Sequence, residues 1–291
     1  MEKVSLSIVV PAYNEETGLT RLLPVLDRLR LENDWEVLIV DDGSTDRTAE
    51  IVGAYPDIRL IRQANAGNGA ALKHGFREAT RPYVLTMDAD GQHKPEDIPN
   101  LVSALQDNEL VTGVRMKDSD RPLSRRPGKW ALTTFAEVVT GKPIHDINCG
   151  FRIYHRETLL RYMPFFPDGF SQPTAAMIAY LKNGRKIAYV PILVLARQGR
   201  KSNVKMVRDG LKALRLILLV TWRFDPRRVL RLAASASALL GLGISTVEIG
   251  LFKNFPFWGS VGLMIGGALY LVSFAAPSEG MRPEAGAGLK G

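Results

Sequence analysis

Apolar residues fall along this chain in two rhythms, and the change between them divides it. Continuous apolar runs of strand length recur at residues 6–10, 35–40, 58–61, 83–87 and 110–114. Helical spacing fills the gaps between them. Leu19, Leu22, Leu23, Leu26 and Leu29 share one face of a predicted helix over 17–31, and further helices are predicted over 45–54 (capped by Asp46 or Ser44), 69–79 and 95–105. Strand and helix alternating at this spacing predict an α/β domain with a mostly parallel sheet covered on both faces.

Beyond residue 200 the rhythm changes. Segments 229–251 and 255–276 are almost wholly apolar, joined by Lys253-Asn254. Each is long enough to cross a hydrocarbon core of about 30 Å as a helix. A transmembrane hairpin is expected in preference to two buried core helices, with Glu248 near the interface or against a partner helix. In 203–224, Val204, Val207, Leu211, Leu214 and Leu218 share one helical face, flanked by Lys205, Arg208, Lys212 and Arg215. This predicts a helix lying in the membrane interface, against the alternative of a helix packed on the soluble domain with a solvated basic edge. The expected organisation is an α/β domain over 1–200, an interfacial helix over 201–228, two transmembrane helices over 229–276 and a flexible cytoplasmic tail over 277–291.

Charge sharpens this division. The chain has 291 residues and a net charge of +8, yet 185–231 alone holds 13 Lys or Arg against two Asp, so the remainder is slightly acidic. A basic block just before two apolar segments places the catalytic part and both termini on the cytoplasmic side of the cell membrane by the positive-inside rule. The block lacks interleaved aromatics, so no nucleic-acid partner is expected. Cys149 is the single cysteine, which excludes an internal disulfide framework and suits a reducing compartment. Residues 4–10 are too short for a signal peptide and no cleavage site follows them.

The candidate chemistry sits where strands end. The run 83–87 stops at Asp88-Ala89-Asp90-Gly91-Gln92, placing hard oxygen ligands at the carboxyl edge of the sheet, where open α/β sheets bind ligands. Asp88, Asp90 and Gln92 suit Mg²⁺ or Mn²⁺ shared with a diphosphate; a plain Asp- and Gly-rich turn fits the same letters. A calcium loop does not fit, because Gly91 is at loop position four and Pro99 stands at position twelve. The first strand ends in Val10-Pro11-Ala12-Tyr13-Asn14-Glu15-Glu16 and the second in Asp41-Asp42-Gly43-Ser44-Thr45-Asp46. Tyr13 is placed to stack on a nucleobase and Asp42 to accept from a base N–H. His74, His93, His145 and His155 show no zinc spacing, and no GxxxxGK[ST] loop is present.

Taken in order, VPAYNEE, VDDGSTD, MDADGQH and DINCGFRIYHRE resemble the family-2 glycosyltransferases of GT-A fold, of the polyprenyl-phosphate (dolichyl-phosphate mannose or glucose synthase) type. The resemblance covers about residues 4–205. It implies a nucleotide-diphospho-sugar transferase fold, a UDP- or GDP-sugar donor and a polyprenyl (undecaprenyl or dolichyl) phosphate acceptor. By position it implies that Pro11, Tyr13, Glu15, Asp42, Asp88 and Ala89 hold the nucleotide and that Asp88, Asp90 and Gln92 surround Mg²⁺ or Mn²⁺. It makes Asp88, Asp90 and Asp146 catalytic, Asp146 as a base or as an orienting group. Arg115 and Arg152 become candidates to hold phosphate bidentately, Arg125, Arg126 and Lys129 to close over the donor from a mobile loop, and Arg197, Arg200 and Lys201 to meet the acceptor phosphate. Asn68 stands where many relatives carry Lys, with Lys73 as the nearest substitute. The absence of a QxxRW sequence points to single transfer instead of polymerisation. Transfer to another lipid or glycan acceptor, or non-catalytic nucleotide-sugar binding, are the alternatives. Gly241, Gly243, Gly262, Gly266 and Gly267 would let the hairpin pack as a homo-oligomer.

Overall fold

A computed structural model describes residues 4–116, 126–169, 171–195, 206–252 and 256–277. Among these residues seven strands form one sheet: β1 Leu6–Ala12, β2 Glu36–Asp41, β3 Arg59–Arg62, β4 Tyr83–Thr86, β5 Leu110–Arg115, β6 Arg152–His155 and β7 Ile187–Ile192, in the order β3-β2-β1-β4-β6-β5-β7. β3, β2, β1 and β4 are mutually parallel, and β5 pairs parallel with β7. Only β6 runs against its neighbours, inserted between β4 and β5.

The apolar runs are continuous because both faces of the sheet are covered. Ile8, Val10, Val37, Ile39 and Leu85 pack against α1 (Glu16–Asn33) and α4 (Ile98–Ser103). Their alternates Val9, Leu38, Val40 and Val84 pack against α3 (Asn68–Glu78), and the same layer continues through α5 (Arg126–Thr140), α6 (Arg156–Tyr162) and α7 (Gln172–Lys182). α2 (Thr48–Gly53) connects β2 to β3. The predicted helix over 95–105 is shorter, a 3₁₀ turn at Pro95–Asp97 running into α4. Of the loop predicted to hold Arg125, Arg126 and Lys129, residues 126–129 are the first turn of α5; Arg125 lies outside the described residues.

α8 (Met206–Phe224) has two working faces. Ala213, Ile217, Val220, Thr221 and Phe224 are buried against the catalytic domain. Leu211, Leu218, Leu219 and Trp222 point outward, beside exposed Lys212 and Arg215. The packed face is offset from the Val204–Leu218 stripe, so the helix both packs on the domain and keeps an apolar outer face. The outward face contains the predicted Leu211 and Leu218, whereas Val204 and Lys205 lie outside the described residues.

α9 (Pro226–Phe252) and α10 (Phe257–Ala275) form the predicted hairpin. Only 11% and 17% of their apolar windows are buried within the molecule, so they are not core helices. With 27 residues α9 is about 40 Å long. α9 closes both ends of α10: Glu248 accepts the N–H groups of Trp258 and Gly259, and Arg227 donates to the carbonyls of Ala276 and Phe274. An anion at the N-terminus and a cation at the C-terminus both oppose the helix dipole favourably. This settles Glu248: it is spent on a helix end. Of the five glycines expected to serve homo-oligomer packing, Gly241, Gly262 and Gly266 are consumed in the α9–α10 contact, where a Cβ would meet backbone within about 3 Å. Gly243 and Gly267 face open space.

Candidate active site

Strands β2, β1 and β4 are parallel neighbours, so their carboxyl ends share one edge of the sheet. The loops that follow them are stitched together by the motif residues themselves. Asn14, in the left-handed region at φ 55°, accepts the Thr45 N–H (2.8 Å), and its own N–H reaches the Ser44 hydroxyl (2.9 Å). The Glu15 N–H donates to Thr48 Oγ1 (3.0 Å) and the Glu16 N–H to Asp46 (3.3 Å). Pro11 is buried at the end of β1, and Tyr13 is 39% exposed at the mouth of the site. Glu15 is half-buried behind it.

Asp42 is buried and accepts from Gln63 Nε2 (2.8 Å) and from the N–H groups of Ala66 and Gly67 (2.9 Å each). A carboxylate offers about four acceptor positions, so most of Asp42 is spent on ordering the 65–67 loop. The start of α3 is also engaged: the N–H groups of Gly69 and Ala70 donate to the carbonyls of Gly169 and Asp168, and Lys73 pairs with Asp168 at 2.7 Å. Lys73, the nearest substitute for a lysine at position 68, is thus engaged by Asp168 in this structure.

Asp88 is half-exposed at the end of β4, and Asp90 is buried with Oδ1 accepting the Gln92 N–H (3.1 Å). Gly18 lets α1 approach this turn: a Cβ there would lie 2.0 Å from the Ala89 carbonyl oxygen. Gln92 donates its side-chain amide to Leu195 O (3.2 Å), and the Leu195 N–H returns to the Gln92 backbone carbonyl (2.9 Å), which ties the turn to the segment after β7. His93 is buried and stacked on Phe151 at 5.2 Å. Burial pushes its ring down to about 4 against the opposing carboxylates of Asp90 and Asp146, with the Arg115 guanidinium adding to the downward push. The imidazole is therefore neutral near pH 7, and Nδ1 faces the Asp88 N–H at 3.5 Å. His93 closes the MDADGQH motif in the sequence, but its burial against Phe151 is visible only in the fold.

The fourth wall comes from 146–150. Asp146 is buried, faces Arg115 Nε at 3.3 Å and accepts the Asn148 N–H (3.3 Å). Arg115 also donates to Asn148 O (3.3 Å), so its first task is to hold this segment. A Cβ on Gly150 would lie 3.2 Å from Asp88 Oδ2, which shows how closely the segment approaches the Asp-Ala-Asp turn. Arg152 is not a phosphate ligand here. Its guanidinium is wholly buried and donates to the carbonyls of Pro173 and Ile147. Arg197, Arg200 and Lys201 lie outside the described residues, as does the Arg126 side chain. The structure thus brings Tyr13, Asp42, Asp88, Asp90, Gln92, Arg115 and Asp146 to one edge, while Arg152 is buried on backbone carbonyls and Lys73 is paired with Asp168.

Among the described residues no three His, Cys, Asp or Glu side chains converge as a metal site. The Asp88, Asp90 and Gln92 set is nevertheless all oxygen, the donor type that Mg²⁺ and Mn²⁺ prefer, and so few protein ligands would leave coordination positions for water or for the oxygens of a diphosphate.

The chain matches the family described as Glycosyl transferase family 2 over residues 7–162. It is 30% identical over 289 residues to the undecaprenyl-phosphate 4-deoxy-4-formamido-L-arabinose transferase of Pectobacterium atrosepticum, covering 95% of this chain and 86% of that one. The enzyme of the same name from Sodalis glossinidius is 29% identical over 288 residues, covering 94% and 85%. Among solved structures, glucosyl-3-phosphoglycerate synthase of Mycobacterium tuberculosis, in complex with Mn²⁺, UDP and glucosyl-3-phosphoglycerate, superposes with a TM-score of 0.56 at 22% identity over 75% of this chain and 79% of that one. The architecture is therefore the GT-A fold with a candidate membrane hairpin appended, and the chain is a glycosyltransferase belonging to glycosyl transferase family 2.

Proposed function

We propose that this enzyme transfers one sugar, with inversion, from a UDP-sugar to a polyprenyl phosphate at the cytoplasmic face of a membrane. The observation that carries the reading is extent. Similarity to relatives named for undecaprenyl phosphate runs over 94–95% of the chain, through the hairpin as well as the catalytic domain. The UDP assignment follows the fold neighbour crystallised with UDP and Mn²⁺.

On this reading a lipid phosphate oxygen attacks the anomeric carbon as the bond to UDP breaks, the electron pair leaving with the diphosphate. Asp88, Asp90 and Gln92 would hold Mg²⁺ or Mn²⁺, which would offset charge on the departing UDP. Tyr13 stacks on the base, and the loop ordered by Asp42 closes over the nucleoside. The acceptor is already anionic at neutral pH, so Asp146, ion-paired and buried, orients reactants and need not remove a proton. Most of the rate then comes from positioning and fixed charge. The outward face of α8, with Trp130 of α5 at 71% exposure, lies in the lipid interface beside the basic side chains.

The test is the full chain in lipid vesicles with undecaprenyl phosphate, a panel of UDP- and GDP-sugars, and Mg²⁺, Mn²⁺ or EDTA. Metal-dependent release of UDP together with a lipid-linked sugar is expected. Sugar delivered to diacylglycerol and not to undecaprenyl phosphate would reject the acceptor, and metal-independent turnover would reject the role given to Asp88 and Asp90.

A further inference from the structure

Two adjacent arginines at the root of the hairpin bind the ends of two helices from different parts of the molecule. Arg227 takes the C-terminal carbonyls of α10, at 2.7 Å from Ala276 O and 3.5 Å from Phe274 O. Arg228 turns the other way. Its Nε donates to Val139 O and its Nη2 to Val138 O, both at 2.9 Å, in the last turn of α5. Lys182, at the end of α7, donates to Thr140 O (3.0 Å) and to the Asp225 carboxylate. Asp225 in turn accepts the Arg228 N–H (3.0 Å), capping α9, with Pro226 in the first helical position.

The last carbonyls of a helix have no partners within it. In α5 three of them are met by two cations from α9 and α7, which also suit the negative end of the dipole. Gly141 follows directly, at φ 70°, and a Cβ there would lie 2.5–2.7 Å from the Arg228 guanidinium. From Gly141 the chain runs to Asp146, with the Ile144 N–H tied back to Glu137 of α5 at 2.9 Å. A continuous set of contacts therefore leads from the first turn of the hairpin, through the end of α5, to the Asp146–Arg115 pair.

We propose that Arg228, with Asp225 and Lys182, positions the catalytic domain on its membrane anchor, setting the height and tilt at which the Asp146 side of the site meets the acceptor phosphate. This rests on the acceptor being held in the membrane. α8 and α9 are separated only by Asp225, so a small rotation there moves the whole catalytic domain. An error of about 1 Å in placement is costly in such reactions. The planar fork of Arg228 spans two carbonyls, where the point charge of Lys reaches one.

The full chain is compared with Arg228→Ala and Arg228→Lys in vesicles of phosphatidylethanolamine and phosphatidylglycerol. Arg228→Ala raises the KM for bilayer undecaprenyl phosphate by about tenfold with kcat changed less than about threefold, Arg228→Lys falls between, and detergent-dispersed farnesyl phosphate is used within about twofold of wild type. Hydrogen exchange over 141–148 accelerates at least about fivefold in the Ala variant. Equal losses with both acceptors, or none with either, overturn the proposal, as does unchanged exchange. If wild type transfers to neither lipid phosphate, the acceptor reading fails and the exchange measurement alone decides the coupling.

Discussion

On the side of β1 and β2, the site residues hold one another. Asn14, Ser44, Thr45 and Asp46 are bonded across two loops that directly follow their strands, and Asp42 orders a loop after the next strand. On the side of β5 and β6, the key carboxylate is held from a distance. Asp146 depends on Arg115 from another strand end, and its segment hangs from a helix whose last turn is bonded by Arg228. On the proposed reading the first side is a self-contained nucleotide cradle. The second is bonded to the root of the hairpin, which would suit a surface that meets an acceptor held at fixed depth in a membrane, as proposed above.

The largest expected effect lies where the two sides meet. Asp90→Ala should lower kcat/KM by about a thousandfold or more, in line with losing a main electrostatic contributor to the transition state. UDP affinity in the presence of Mn²⁺, measured by calorimetry, should fall in parallel. Near-normal turnover would break the comparison at its centre, since the Asp-Ala-Asp turn would then serve neither side.

Next comes the acceptor side alone. Arg115→Ala removes a cation from a buried carboxylate, a class of change that costs about 3 kcal/mol or more. A loss of about a hundredfold in kcat is expected, with UDP affinity within about threefold. Asp146→Asn in the same background should restore thermal stability without restoring transfer. If UDP affinity falls as far as kcat, the two sides are one unit and the division proposed here is wrong.

A smaller effect tests the membrane surface. Leu218→Glu places a charge on the outward face of α8, opposite the buried Ile217 and Val220 packing. The hairpin still holds the protein in the vesicle, so the fraction that co-sediments should not change. The KM for bilayer acceptor should rise about threefold to tenfold, as expected for repelling one interfacial helix from anionic lipid. Loss of folding, read as a lower Tm, would instead place this face against protein.

The same contrast explains what could be read from the chain before its structure. β1, β2 and β4 are buried on both faces, so they appear as unbroken apolar runs, and their loops carry turn chemistry in neighbouring letters. Arg152–His155 could not be read as a strand: its Arg is buried only because the carbonyls of Pro173 and Ile147 await it, and these come from other segments. Arg152 looked like a phosphate ligand for the same reason. In α8 a single periodicity was assigned where two apolar faces exist, and only tertiary packing separates Ile217 from Leu218. Gly18 was silent because its role is the nearness of Ala89 O, more than seventy positions away in sequence.

The smallest effect on activity is expected at the opposite edge of the nucleotide cradle. Burial acts to raise the Glu36 carboxyl, but hydrogen bonds from Ser7, the Thr80 N–H and hydroxyl, and Arg59 outweigh it and hold the group below its ordinary value. A depressed carboxyl stabilises the fold above its unfolded-state pKa, and that contribution is lost as pH falls through the folded-state value. Glu36→Gln should therefore lower Tm by a few degrees at pH 7, and the gap to wild type should close on acidification below pH ~4. Activity at pH 7 and 25 °C should stay within about twofold for every acceptor, because no contact of Glu36 reaches the 88–93 or 146–150 segments. A selective rise in KM for the bilayer acceptor would show that strain in the cradle is transmitted to the membrane side, and the independence of the two sides would have to be given up.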